Sequence, residues 1–276
     1  MSVPASGSET STLVAVASGD AAEEVYLALE VLVRTGVRPI VVTRGAHPEP
    51  VRTERNRAAV LEGLVPRYLN NAVASLRLSS LPTIGWWREP TTDGLLELAE
   101  LVDRLVLDVK APATVWSMVP QLSTWTAVSD LRWARLTRWR DLFAQFFDLR
   151  ETRERAETFS HLRISGGDRD AARLLAGWIV SRLPGGECLE VSIAADDRSA
   201  AIRSLELTGT DLALSLCLMP NDVCLETTVS LRGSAPASRV VAAGDQRLAA
   251  LMAEELRVRA RDMAFEDAVA AAGGIQ

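Results

Sequence analysis

TLVAVASGDAAEEVYLALEVLVRTGVRPIVVT, residues 12–43, decides the fold of this chain. Its first seven residues, TLVAVAS, are short, apolar and partly β-branched, which suits a buried strand. GDAAEEVYLALEVLVRTG then carries Val25, Leu29, Leu32 and Val33 at helical spacing, and Gly36 is placed to stop the helix. RPIVVT returns to a strand. Two apolar strands joined by an amphipathic helix form a βαβ unit, and such units build parallel sheets.

The alternation continues outward. A helical pattern covers roughly Arg57 to Leu76, LPTIGWW (81–87) reads as a strand, TDGLLELAELV (92–102) as a helix and RLVLDV (104–109) as a strand. An N-terminal α/β domain over 12–152 follows, a mostly parallel sheet with helices on both faces. The polar residues 1–11 lack the charged start and apolar middle of a signal peptide and read as a disordered tail. The charge run ETRERAE (151–157), a solvated helix or a linker, marks the domain boundary. Beyond it, HLRIS (161–165) is a strand and SGGD (165–168) a turn. Asp168 caps the helix DRDAARLLAGWIVSRL, which Pro184, Gly185 and Gly186 stop. The strands ECLEVSIAA, IRSLELTG, DLALSLCLM and VCLETTVSL follow, then a helix from about Asp245 to Val269. This order fits a smaller α+β domain over 153–276 with an antiparallel meander.

Composition excludes several functions. With 276 residues and a net charge of −6, the chain can bury two cores but offers no dominant basic face for nucleic acid. No apolar run reaches the roughly 20 residues of a spanning helix, so a cytoplasmic location is expected. His47 and His161 lie far from each other and from Cys188, Cys217 and Cys224, so no metal site is indicated. SGGD and VASGD precede helices whose N-terminal amides could bind an anion; with GxGxxG and GxxxxGK[ST] absent, a plain strand-to-helix turn is the favoured reading of both over a phosphate site. GxSxG and HExxH are also missing. No catalytic residue and no cofactor is expected.

The cysteines pose a register question. Matching the apolar faces of DLALSLCLM and VCLETTVSL pairs Leu218 with Val223 and Leu216 with Leu225, which sets Cys217 opposite Cys224 on the other face. With Met219–Asp222 as the loop, the two form the closer, non-hydrogen-bonded kind of pair; with a Pro220–Asn221 loop a bridge would be strained. Two reduced cysteines acting as small hydrophobes is the alternative to a redox pair.

SDLRWARLTRWRDLF (129–143) concentrates arginine and tryptophan in an acidic chain. Thr137 is a candidate N-cap, and the helix it opens puts Trp139, Leu142 or Phe143, Phe146 and Leu149 on one face as core. Arg132, Arg135, Arg138 and Arg140 must pair with acids or line a surface. Tryptophan and arginine are also the types enriched where partners dock.

These residues resemble the glucose-6-phosphate dehydrogenase assembly proteins, the OpcA family. The family's pattern, similar to Asp-Leu-x-Trp-x-Arg-Leu-Thr-Pro-Trp-Arg, is matched by Asp130, Leu131, Trp133, Arg135, Leu136, Thr137, Trp139 and Arg140, with Arg138 where the family has proline. A strand ending in Trp86 and Trp87 before Arg88, and the helix LLAGWIVSRL (174–183), are further matches. The resemblance implies a non-enzymatic partner protein that binds glucose-6-phosphate dehydrogenase, favours its active oligomer and raises its activity in the oxidative pentose phosphate pathway. In some members activation is linked to thiol redox state. Within the motif, Arg135 and Arg140 are candidates for contact or ion pairing and Trp139 for the frame. The alternative is an enzyme or sensor that binds a sugar phosphate or nucleotide at the carboxyl ends of the N-terminal strands, near Ser18, Gly19 and Thr43 to Gly45.

Overall fold

A computed structural model describes residues 9–47, 49–196 and 201–275; all but the last three positions of the 1–11 tail lie outside them, and Ser11 already opens the first strand. The chain forms two compact units. The first takes residues 1–131 and 247–262, the second 132–246 and 263–276.

The first unit is built on seven strands: β1 Ser11–Val16, β2 Val37–His47, β3 Val51–Arg55, β4 Ala58–Leu64, β5 Thr83–Trp87, β6 Arg104–Leu107 and β7 Ala127–Asp130. Their order is β3-β4-β2-β1-β5-β6-β7. All neighbours run parallel except β3 with β4. With β3 set aside, the six parallel strands stand in the order 3-2-1-4-5-6 of a doubly wound dinucleotide-binding sheet. β1 lies at its centre with every residue buried, as its apolar run requires. The helix Asp20–Leu32 buries Val25, Leu29 and Leu32, and Gly36 ends the following turn in a left-handed conformation at φ 86°.

The helix expected over 57–76 is a correction. Asn56 and Arg57 both hold positive φ, 51° and 67°, and close a two-residue hairpin between β3 and β4. Only Leu69–Ala74 of that stretch is α-helical. β3 thus carries the chain back where a crossover helix is usual. The helix expected over 92–102 is confined to Leu95–Ala99.

The second unit holds a mixed sheet: β8 Phe159–Gly166, β9 Glu190–Ala195, β10 Ile202–Gly209, β11 Leu212–Leu218, β12 Cys224–Leu231 and β13 Ala237–Ala242, in the order β13-β12-β11-β10-β8-β9. β8 and β9 run parallel, joined by the helix Arg169–Arg182; the other neighbours are antiparallel. Asp168 caps that helix, its carboxylate accepting from Ala171 N at 2.9 Å.

The single C-terminal helix expected over 245–269 is two. Leu248–Glu255 belongs to the first unit and Met263–Ala272 to the second. A buried ion pair explains the first assignment. Arg104 of β6 donates from Nη2 to Glu255 Oε2 at 2.6 Å, and Ser129 Oγ donates to the other carboxylate oxygen at 3.2 Å. In the second unit the helix Met263–Ala272 packs on Arg169–Arg182 at Gly177, where a Cβ would sit 2.3 Å from Ala268 O.

The units divide between Leu131 and Arg132, not near residue 152. The apolar stripe of the helix Thr137–Phe146 settles this, because Phe143 stacks edge-on against Trp178 at 5.7 Å. The charge run is a short solvated helix, Arg150–Arg153. Leu149, expected on the buried stripe, is 46% exposed.

Candidate functional site

The motif of residues 130–140 crosses the division between the units. Asp130 ends β7 in the first unit, fully buried, and its carboxylate accepts from Trp116 Nε1 at 2.9 Å. From Arg132 onward the side chains belong to the second unit.

Two helices carry them, Leu131–Arg135 and Thr137–Phe146, with Leu136 between. Thr137 is therefore not the N-cap. Leu136 holds that position in helical geometry without a side-chain cap, since Leu136 and Arg140 continue the backbone hydrogen bonding across the junction. The Thr137 hydroxyl instead accepts from Arg140 Nη2 at 3.3 Å.

Trp133 is buried between two groups. The Arg140 guanidinium lies 3.5 Å from its ring centroid, and Phe265 packs against it at 5.8 Å. Arg140 also donates to Trp133 O at 3.4 Å, so Arg140 serves the frame. Arg132 is buried and approaches Asp168 at 3.4 Å. Arg138 donates from Nε to Ala242 O at 3.1 Å, which fills the place of the family's proline with a tie to the end of β13.

Arg135 is different. It is half-buried, and no hydrogen bond or ion pair holds it among the described residues. It lines a cavity of about 540 Å³ together with Trp139 and Asp168, all within the second unit. Sequence periodicity places Trp139 on the buried stripe but cannot show that the same indole walls a cavity.

In the first unit, Trp86 and Trp87 are wholly buried in β5 and act as core; Trp87 Nε1 donates to Thr91 O at 3.2 Å. Arg88 follows them to the carboxyl end of the strand. Its Nη2 is 2.6 Å from Glu24 Oε2, its Nε 2.8 Å from Asp108 Oδ2, and its Nη1 donates to Ala21 O at 3.3 Å. The side chain thus lies across the place where the strand order reverses, the usual seat of a dinucleotide pyrophosphate. Asp20 in the first turn of the helix after β1 adds negative charge there, while Glu23 of the same turn is held by both Nη atoms of Arg55 at 2.8 Å. Ser18 and Thr43 are turned to internal use: Ser18 Oγ accepts from Arg44 N at 3.3 Å and Thr43 Oγ1 from Gly63 N at 3.2 Å. Gly45 is packed against Gly63, whose Cα a Cβ would meet at 2.4 Å.

The cysteine register is a correction. Cys217 faces Glu226, and Leu218 faces Leu225. Residues 220–223 form the turn, with Met219 N donating to Cys224 O at 2.9 Å, Asp222 at φ 56° and Val223 60% exposed. That turn slides the pairing by two residues, which keeps every side chain on its face but makes Cys217 and Cys224 diagonal neighbours. All three cysteines are free.

Among the described residues no group of three or more His, Cys, Asp or Glu could hold a metal ion, and no helix is long and apolar enough to cross a membrane.

A family model described as the C-terminal domain of a glucose-6-phosphate dehydrogenase subunit matches residues 126–269, just over half of the chain. The "Putative OxPP cycle protein OpcA" of Synechocystis sp. is 28% identical over 124 residues, which cover 42% of this chain and 26% of that protein. The aligned stretch thus spans about a quarter of the relative's length. Among solved structures, the super-repressor mutant of Gal80p from Saccharomyces cerevisiae is similar with a TM-score of 0.50 at 8% identity, over 89% of this chain and 83% of that one. The aldose-aldose oxidoreductase of Caulobacter crescentus has a TM-score of 0.50 at 9% identity, over 94% and 95%. Both likenesses are of fold alone.

Proposed function

Because this chain belongs to the OpcA family of glucose-6-phosphate dehydrogenase assembly proteins, we propose that it binds a glucose-6-phosphate dehydrogenase and raises its activity without catalysing a reaction itself. The observation that carries this reading is the motif from Asp130 to Arg140. It lies inside the matched region, and its Trp133 and Arg140 build part of the frame of the second unit. An effector of this kind works in the cytoplasm by binding the enzyme's active state better than its inactive one, and it shifts the enzyme only as far as that difference allows.

The first unit supports a non-catalytic role. Its strand order would place a dinucleotide at the carboxyl ends of β1 and β5, and Arg88, Glu24 and Asp108 interact across that region. An incoming pyrophosphate would have to break these contacts and face Asp20.

The test is co-purification of the full chain with a glucose-6-phosphate dehydrogenase from the same source, with enzyme kinetics. Complex formation and a raised kcat or lowered KM are expected. No complex and unchanged constants would reject the reading. The strand order itself favours a second reading, a sensor or enzyme for a nucleotide or sugar phosphate. That reading requires a thermal shift with NADPH or glucose 6-phosphate in the absence of any dehydrogenase.

A further inference from the structure

We propose that the cavity of the second unit binds a small organic anion, a single phosphate or carboxylate on an apolar body, with Arg135 as the group that grips it. The proposal goes beyond the dehydrogenase reading and does not depend on it. At about 540 Å³ the cavity is within the roughly 300–1,000 Å³ usual for small-molecule sites. Leu136, Ile202 and Leu218 make apolar walls, and the Trp139 indole offers a flat one.

Charge balance selects the ligand. Among the described residues two carboxylates line the cavity, and each is already engaged. Asp168 accepts from Ala171 N at 2.9 Å and meets Arg132 at 3.4 Å; Asp222 pairs with Arg203 at 3.0 Å. Among the described residues Arg135 is the one lining cation; none of these acids neutralises it, and it has no partner among them. A half-buried guanidinium with unused donors favours an anion that can take two parallel hydrogen bonds, which phosphate and carboxylate both do. The two lining acids disfavour a second anionic group on the same ligand. One charged head and an apolar remainder, stacked on Trp139, is the chemistry that fits.

The probes are phenyl phosphate, benzoate and inorganic phosphate, titrated calorimetrically into the full chain alone. Phenyl phosphate and benzoate should bind more tightly than inorganic phosphate, because only they use the apolar walls. R135Q should weaken phenyl phosphate by about tenfold or more, the worth of a charge-assisted hydrogen bond. If R135Q does not fold, R135K carries the comparison with a smaller loss, since an ammonium cannot make the bidentate contact. Binding that is indifferent to Arg135, inorganic phosphate binding as well as phenyl phosphate, or no binding of either aromatic probe would overturn the proposal.

Discussion

Arg88 Nε stands 2.8 Å from Asp108 Oδ2, and both side chains are about nine-tenths buried. The N–H is not aimed at that oxygen, so the contact is an ion pair and not a hydrogen bond. R88A would leave Asp108 buried without this cation and free Glu24 from its partner. A loss of roughly 3 kcal/mol is expected, read as a lower urea midpoint at unchanged slope. An unchanged midpoint would show that the pair contributes nothing to the unit.

Arg104 and Glu255 tie a segment far along the chain to the sheet of the first unit. Both are nearly inaccessible to solvent. E255Q should cost about 3–5 kcal/mol because it leaves a buried guanidinium without its counter-charge, whereas the double variant R104M/E255L should recover most of that loss. Chemical denaturation of the single and double variants decides. A double variant as weak as the single would mean that the ion pair, not its burial, supplies the stability.

The helix contact at Gly177 leaves no room for a methyl group. In G177A the new Cβ would approach Ala268 O at 2.3 Å and Ala272 N at 2.7 Å, so the helices must separate. Thermal melting should show a destabilisation of about 1–3 kcal/mol. A neutral variant would contradict the close approach.

Diagonal neighbours in an antiparallel pair stand about 7–8 Å apart, beyond the roughly 4.4–6.8 Å that disulfide Cα atoms usually span. Mild oxidation is therefore expected to leave Cys217 and Cys224 unbridged to each other. Cys188 and Cys217, which are exposed, should alkylate before the half-buried Cys224. Peptide mapping of the oxidised and alkylated chain checks both points, and a Cys217–Cys224 crosslink would show that the hairpin slips its register.

What the sequence reveals depends on how local the signal is. The strand–helix–strand opening is legible because β1 is apolar from Leu13 onward and Gly36 marks the stop. Asp168 is legible because capping involves residues three apart. The β3–β4 hairpin is hidden, since its turn puts an arginine at positive φ and AAVLEGL suits either period. β13 is mostly exposed and has no alternation to read. The C-terminal segment is split between units by the pairing of Arg104 with Glu255, 151 positions apart, which no local pattern encodes. In the motif, residue types identify the family, but only tertiary contacts separate the engaged Arg132 and Arg140 from Arg135.

The central claim is a productive complex with glucose-6-phosphate dehydrogenase. The most direct measurement is the dehydrogenase's initial rate at subsaturating glucose 6-phosphate as the full chain is titrated in, with complex formation followed by size-exclusion chromatography. The expected result is a saturable rise in rate whose midpoint matches the binding constant. A complex that leaves the rate unchanged, or no complex at micromolar concentrations of both proteins, would contradict the account.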